Sequence, residues 1–196
     1  ILRKKRVSRQ AIINLHQPHS GETRDELCTM YLQFIVRNKK LHMITNMRSN
    51  DALWGFTYDA FAFTFIQELL ALDLGVELGS YYHNAGSMHV YDKDSEQICS
   101  ILSNIQYYEY SEIIPKEFTC EIPKILKAEK MLRNGVQINL NIVKTEFSKN
   151  IIHILNLFSL IKHRGYTKED VFEYLDCCCE IFPHYNVLIQ NFMEEK

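Results

Sequence analysis

Two β-rich segments, 29–37 and 40–48, separated only by Asn38-Lys39, constrain the fold more than any other stretch of the chain. Tyr31, Phe34, Ile35 and Val36 on one side and Leu41, Ile44 and Thr45 on the other favour extended backbone, and so short a connection pairs them as an antiparallel hairpin. Pairing then fixes the ends. Cys28 stands at the outer end of the first strand and Arg48 at the matching end of the second, so the two can meet at one site.

The residues from Arg48 onward are Arg48-Ser49-Asn50-Asp51-Ala52-Leu53-Trp54-Gly55-Phe56-Thr57-Tyr58-Asp59. They supply what a nucleotide pocket requires: a cation for phosphate, short polar side chains to position it, and a polar group for the base edge. A helix follows over 58–74, with Phe61, Phe65, Leu69 and Leu72 at helical spacing. Asp59 falls in its first turn, where an acid contributes about 0.3–1 kcal/mol and needs no ligand. Gly75 and Gly79 bracket a turn into a strand over 80–91, and Asp94 caps a helix over 95–104. Ahead of the hairpin, 8–15 reads as a strand and 16–26 as a loop. Beyond Pro115, helices are expected over 123–134, 138–163, 168–182 and 186–193.

With 196 residues, 46% of them hydrophobic and 23% charged, the chain can bury one good core plus an appendage. A net charge of −2 gives no global attraction for nucleic acid, so phosphate must be met by a few placed arginines. No apolar run reaches bilayer length, the segment 151–161 being interrupted by His153 and Asn156, and a cytoplasmic protein without a membrane partner is expected. The six cysteines lack a C-x-x-C pair and read as reduced thiols. Cys177-Cys178-Cys179 lies in a helical pattern that fans consecutive side chains apart, so no metal site is expected, although His163 and His184 keep a zinc reading open.

Taken together, Cys28, the Arg48-Ser49-Asn50-Asp51 run, Gly55, Asp59 and the segment Tyr82-His83-Asn84-Ala85-Gly86-Ser87-Met88-His89-Val90-Tyr91 resemble the thymidylate synthase and pyrimidine-nucleotide hydroxymethylase family. The resemblance covers about residues 8–104. It implies an α+β fold, a thymidylate synthase-like sheet packed with helices, over 1–110, followed by a helical C-terminal region over 111–196. It also places ahead of residue 1 a portion carrying a catalytic glutamate and part of a folate wall.

The resemblance further implies roles. Cys28 is the nucleophile, Arg48 serves both the thiolate and the phosphate, and Arg9, in a Ser-Arg-Gln run, reaches phosphate across a homodimer interface. Ser49, His89 and Tyr91 hold the nucleotide, His83 supports them, and Asp51, Trp54 and Gly55 meet the cofactor, 5,10-methylenetetrahydrofolate. Read singly, most of these have bland alternatives: Cys28 as an inert buried thiol, Trp54 as core packing, His89 and Tyr91 as ordinary strand residues. The chemistry explains the residue types. Adding a thiolate to carbon 6 of a pyrimidine drives electron density onto carbon 5, which can then capture a one-carbon unit.

Asp59 is the informative position. Where the dUMP synthases carry asparagine, a carboxylate opposes oxygen 4 of uracil but accepts from the amino group of cytosine, as in the family's cytidylate hydroxymethylases. The expected activity is therefore folate-dependent one-carbon transfer to a pyrimidine nucleoside monophosphate, as a dCMP or CMP 5-hydroxymethylase. The alternatives are a divergent thymidylate synthase methylating dUMP and a non-catalytic nucleotide-binding or scaffold relative. Met47 in place of a glutamine and Leu27 in place of a proline mark a divergent branch.

Overall fold

The computed structural model describes residues 1–16, 26–103 and 114–177. It divides into two compact units, Ile1–Glu112 and Ile113–Lys196. Their secondary structure is mixed, an α+β architecture. Most of the loop expected over 16–26, the end of the helix expected at 104, the continuation over 178–182, the helix over 186–193 and Cys178 and Cys179 lie outside the described residues.

In the first unit the hairpin forms as its sequence predicts. β2 (Thr29–Arg37) and β3 (Lys40–Met47) pair antiparallel, with Arg37 opposite Lys40. Asn38 and Lys39 both take positive φ, 49° and 61°, the backbone twist that lets a two-residue turn match its flanking strands. β1 is shorter than the expected strand, Ala11–Asn14, and adds antiparallel to the edge of β2. β5 (Glu77–Ala85) adds parallel to β3, giving the order β1-β2-β3-β5. A parallel neighbour requires a crossover, which is α1 (Trp54–Leu74).

Alternation along the hairpin sends Leu32, Phe34 and Val36 of β2 and Leu41, Met43 and Met47 of β3 into the core, where they meet Phe63, Ala71 and Leu74 of α1. Each of the larger side chains contributes about 1.5–3 kcal/mol by leaving water. The buried stripe of α1 is Phe63, Gln67, Ala71 and Leu74, not the expected row of Phe61, Phe65, Leu69 and Leu72, and Phe61 is 64% exposed. Gln67 explains the choice. Gly79, expected to close a turn, lies inside β5 beside an irregularity of the β3–β5 ladder at Leu41/Met43. Gln67 Nε2 donates to the carbonyls of Leu41, Gly79 and Ser80 at 2.8, 3.2 and 3.3 Å, supplying donors where the ladder is irregular.

The strand expected over 80–91 breaks at Gly86-Ser87: β6 (Met88–His89) leaves the main sheet and pairs parallel with β4 (Asn50–Asp51). A Cβ at Gly86 would sit 2.9 Å from the Arg48 carbonyl oxygen, so the break needs the missing side chain. A single 3-10 turn, Asp92–Asp94, then leads into α2 (Ser95–Ser103).

The second unit contains α3 (Phe118–Arg133), α4 (Glu146–Arg164) and α5 (Lys168–Cys177). α3 begins five residues before the expected start at Pro123, which sits within it. The helix expected over 138–163 is interrupted. A 3-10 turn at Leu140–Ile142 comes first, and α4 starts only after Thr145, whose hydroxyl accepts from Ser148 N–H. Leu157, Val171 and Leu175 form a small core with Tyr166 and Tyr174 packed against it.

Candidate functional site

The end of the hairpin opposite its turn brings Cys28 and Arg48 together. Arg48 N–H donates to the Cys28 carbonyl at 2.9 Å, and the pairing slips between Thr29 and Tyr31, an irregularity that re-aims the strand end. The Arg48 side chain turns back over the same end, Nε donating to Leu27 O at 3.3 Å and Nη2 to Glu26 O at 2.8 Å. Cys28 is exposed, which sets aside its reading as a buried inert thiol.

The short β4–β6 ladder carries the next residues. Asp51 lies opposite His89, Ser49 Oγ is 3.3 Å from His89 Nδ1, and the rings of His89 and Tyr91 meet edge to face at 5.0 Å. Tyr91 is half exposed, with Lys93 Nζ 5.6 Å from its ring centre. Ser49, His89 and Tyr91 thus share one surface.

Asp51 is engaged at the start of α1. Its Oδ1 accepts from the N–H groups of Leu53 and Trp54 at 2.7 and 3.1 Å, satisfying two donors that a helix start leaves without partners. This starts α1 at Trp54 rather than at Tyr58. Trp54 and Gly55 are therefore helical rather than in a loop, and Asp59 lies past the first turn, where the end of the helix dipole no longer acts strongly on it. Trp54 is 46% exposed, which sets aside its reading as core packing. Gly55 packs so closely on Asn50 that a Cβ would approach Oδ1 to 2.2 Å.

Asp59, partly buried, faces the aromatic pair Tyr81 and His83 of β5 closely enough to act on both electrostatically. Burial raises Tyr81 above the ordinary phenol range; the Thr45 side chain opposes the shift and Asp59 adds to it. Burial lowers His83 below the ordinary imidazole range, while Asp59 opposes the shift.

His83, expected as a supporting residue, is held on three sides. Its Nδ1 is 2.6 Å from Tyr81 OH, its Nε2 2.9 Å from Asn50 Nδ2, and Phe56 meets its ring edge to face at 4.9 Å. Asn50 Nδ2 also lies 3.1 Å from Met47 Sδ. Asn50 and Tyr81 are not among the site residues expected from the sequence. The available signal was the i, i+2 spacing of Tyr81 and His83, which puts both on one face of β5.

Arg9 is not brought to this cluster within one chain. It precedes β1, whose Ala11 lies opposite Phe34, so it sits toward the Asn38-Lys39 turn. Its carbonyl accepts from Gln33 Nε2 at 3.0 Å, and by strand rise Gln33 itself lies roughly 17 Å along β2 from Cys28.

A family model described as thymidylate synthase matches residues 1–125. The deoxyuridylate hydroxymethyltransferase of Bacillus phage SP01 is 40% identical over 92 residues, covering 44% of this chain and 24% of that protein. A putative thymidylate synthase of Methanocaldococcus jannaschii is 42% identical over 72 residues, 36% of this chain and 32% of that one. The deoxycytidylate 5-hydroxymethyltransferase of Enterobacteria phage T4 is 36% identical over 76 residues, 35% and 31%. The chain thus spans about a quarter to a third of the length of these relatives. Thermostable thymidylate synthase A from Bacillus subtilis superposes with a TM-score of 0.51 at 27% identity, over 61% of this chain and 44% of that one. With the family match reaching across the sheet, the Cys28–Arg48 end and the Asp59 helix, the chain belongs to the thymidylate synthase family.

Proposed function

We propose that this protein transfers a one-carbon unit to carbon 5 of a pyrimidine nucleoside monophosphate, and that its nucleotide is a cytidylate, dCMP or CMP, carried to the 5-hydroxymethyl product. The observation that carries the reading is the convergence of an exposed Cys28, Arg48 and the Ser49–His89 contact at one end of the sheet. Cys28 attacks carbon 6 as the thiolate, which a neighbouring guanidinium favours. Arg48 leaves its backbone carbonyl partners for the phosphate, Ser49 steadies the same group, and His89 and Tyr91 hold the sugar.

Asp59 reads the base: its carboxyl accepts from the cytosine amino group and shares a proton with nitrogen 3. Facing uracil it would meet oxygen 4 with like polarity, an unmet acceptor costing about 1–3 kcal/mol, tenfold or more in preference.

The cofactor, 5,10-methylenetetrahydrofolate, supplies the one-carbon unit when bound. The residues present suit it. Trp54 offers an exposed aromatic face at the start of α1, Gly55 beside it lets Asn50 and Asp51 pack close to the helix, and Oδ1 of Asp51 alone is taken up by the helix start. The separation of Arg9 from Cys28 within one chain supports a homodimer in which Arg9 serves the partner's phosphate site. On the sheet face away from α1, half-exposed Leu78 and Tyr82 are apolar side chains a second copy can cover. A cytoplasmic location suits both nucleotide and cofactor, and among the described residues no helix is long and apolar enough to cross a membrane.

A second reading, action on dUMP, is favoured by the 40% identity to the phage deoxyuridylate hydroxymethyltransferase. Tritium release separates the two. With methylenetetrahydrofolate, the full-length protein should release tritium from carbon 5 of dCMP or CMP at least about tenfold faster than from dUMP. Equal or faster release from dUMP overturns the cytidylate assignment, and no release from any of them overturns the enzyme. Asp59→Asn should move the preference toward uracil nucleotides.

A further inference from the structure

Met47 stands out in the sequence as a departure from the family pattern, and its sulfur meets a group that in turn meets the base-reading corner of the site. Asn50 Nδ2 lies 3.1 Å from Met47 Sδ and 2.9 Å from His83 Nε2. Asn50 is 3% exposed, and its Oδ1 is pinned against Gly55. A thioether sulfur accepts hydrogen bonds but cannot donate, so the amide nitrogen, not the oxygen, belongs on that side. With the amide nitrogen donating, His83 Nε2 must be the bare, accepting nitrogen. The single ring proton then sits on Nδ1 and is donated to Tyr81 OH at 2.6 Å.

We propose that Met47, Asn50 and Tyr81 hold His83 as an uncharged imidazole so that Asp59 stays unpaired for the nucleotide base, making this side-chain chain a determinant of base specificity. A second proton on His83 would point an N–H at the Asn50 amide. The amide could accept it only by swinging its oxygen onto Met47 Sδ, bringing two lone-pair-bearing atoms together. An imidazolium beside Asp59 would then draw that carboxyl into an ion pair and away from cytosine. The groups facing His83 are Tyr81 on its own strand, Asn50 on β4, and Phe56 and Asp59 on α1, while Thr45 of β3 is its register partner. Among the described residues Asp59 is the charged group that acts on it, and Asp59 forms no ion pair. Burial of the imidazole works in the same direction as the hydrogen bonds.

This inference rests on Asp59 reading the base, as in the proposed function. It is tested by calorimetric binding of dCMP and dUMP to the full-length protein carrying Cys28→Ser, which blocks turnover. In parallel, imidazole nitrogen shifts of His83 are measured by NMR, assigned with His83→Gln. The unliganded protein should show the Nδ1–H tautomer at neutral pH. Asn50→Asp supplies a carboxylate that accepts from Nε2–H and stabilises the imidazolium, so the preference for dCMP over dUMP should fall about tenfold. Adding His83→Gln to Asn50→Asp, which removes the cation, should restore the preference to within about threefold of the parent.

Met47→Leu keeps the volume and removes the acceptor, so it should raise the His83 titration midpoint even if Asn50→Asp fails to fold. A charged or Nε2–H His83 in the parent, an unchanged preference in Asn50→Asp, or a loss that His83→Gln does not restore overturns the proposal. Binding of a pyrimidine nucleotide with a charged His83 refutes this inference alone. Failure to bind either nucleotide refutes the proposed function, and this inference falls with it.

Discussion

A single hydrogen separates Gly55 from a conflict with the site's floor. Any Cβ there would come within 2.2 Å of Asn50 Oδ1 and 3.3 Å of Asp51 Cβ, both in β4 just ahead of α1. Asn50 cannot yield freely because Met47 and His83 hold its other end. Gly55→Ala should therefore destabilise the protein by about 1–3 kcal/mol, the range for overpacking a tight site, and weaken the nucleotide binding proposed above. Chemical denaturation and calorimetry of the same variant check both effects, and an unchanged midpoint would show that Asn50 has somewhere to go. Asp51 teaches a related lesson. Its carboxyl type is visible in sequence, but its engagement with the N–H groups of Leu53 and Trp54 is not, because that depends on where the helix starts. Asn50 and Tyr81 stayed hidden for the same reason. Amides and phenols are common, and their partners lie far along the chain.

At the level of elements, the hairpin turn carries the sharpest backbone demand. Lys39 holds φ at 61°, a left-handed conformation costing a residue with a Cβ about 1–2 kcal/mol, and it is exposed. Lys39→Gly gives the Asn-Gly pair such turns favour and should raise stability by about 0.5–1 kcal/mol. Thermal or denaturant unfolding measures it. A loss would mean that the Lys40–Glu77 pairing or its surroundings depend on the lysine stem. The hairpin was legible because β-branched and aromatic runs around a two-residue link leave few alternatives. The buried face of α1 was not. Phe61, Phe65, Leu69 and Leu72 make a plausible stripe, but the helix is apolar nearly all round. The deciding residue is the polar Gln67, buried to supply three carbonyls of the β3–β5 edge. Periodicity counts apolar side chains, so it misses a face chosen by a hydrogen-bond donor. The break after Ala85 escaped for a similar reason, since it depends on Gly86 meeting the Arg48 carbonyl, a contact between distant segments.

Over the whole molecule, the two compact units differ in how far the family accounts for them. The match ends at residue 125, within α3, just past a buried polar cluster that ties α3 to the start of α4 in the second unit. Glu121 is 7% exposed there and is the hub. Burial by itself would raise its carboxyl. The hydrogen bonds from Ser148, from Thr145 and from the Lys144 and Thr145 backbone outweigh that and hold it down at about 2. Its ordinary value is 4.5, so the unfolded chain binds the proton first as acid is added. The stabilisation is complete above pH 4.5 and disappears as pH falls toward 2. Glu121→Gln should cost about 1–3 kcal/mol at neutral pH, the range for charge-assisted hydrogen bonds lost in a buried place. The difference between parent and variant should then shrink to nothing as pH falls through that window, because protonating the parent removes what the substitution removes. Trp54, the one tryptophan of the chain, reports on the first unit, while circular dichroism follows helix. In the parent, acid should therefore lower the helix signal of α3 to α5 before Trp54 fluorescence changes. A stability difference that stays constant from pH 7 to pH 2 would mean that the Glu121 charge plays no part in holding α3 to the start of α4.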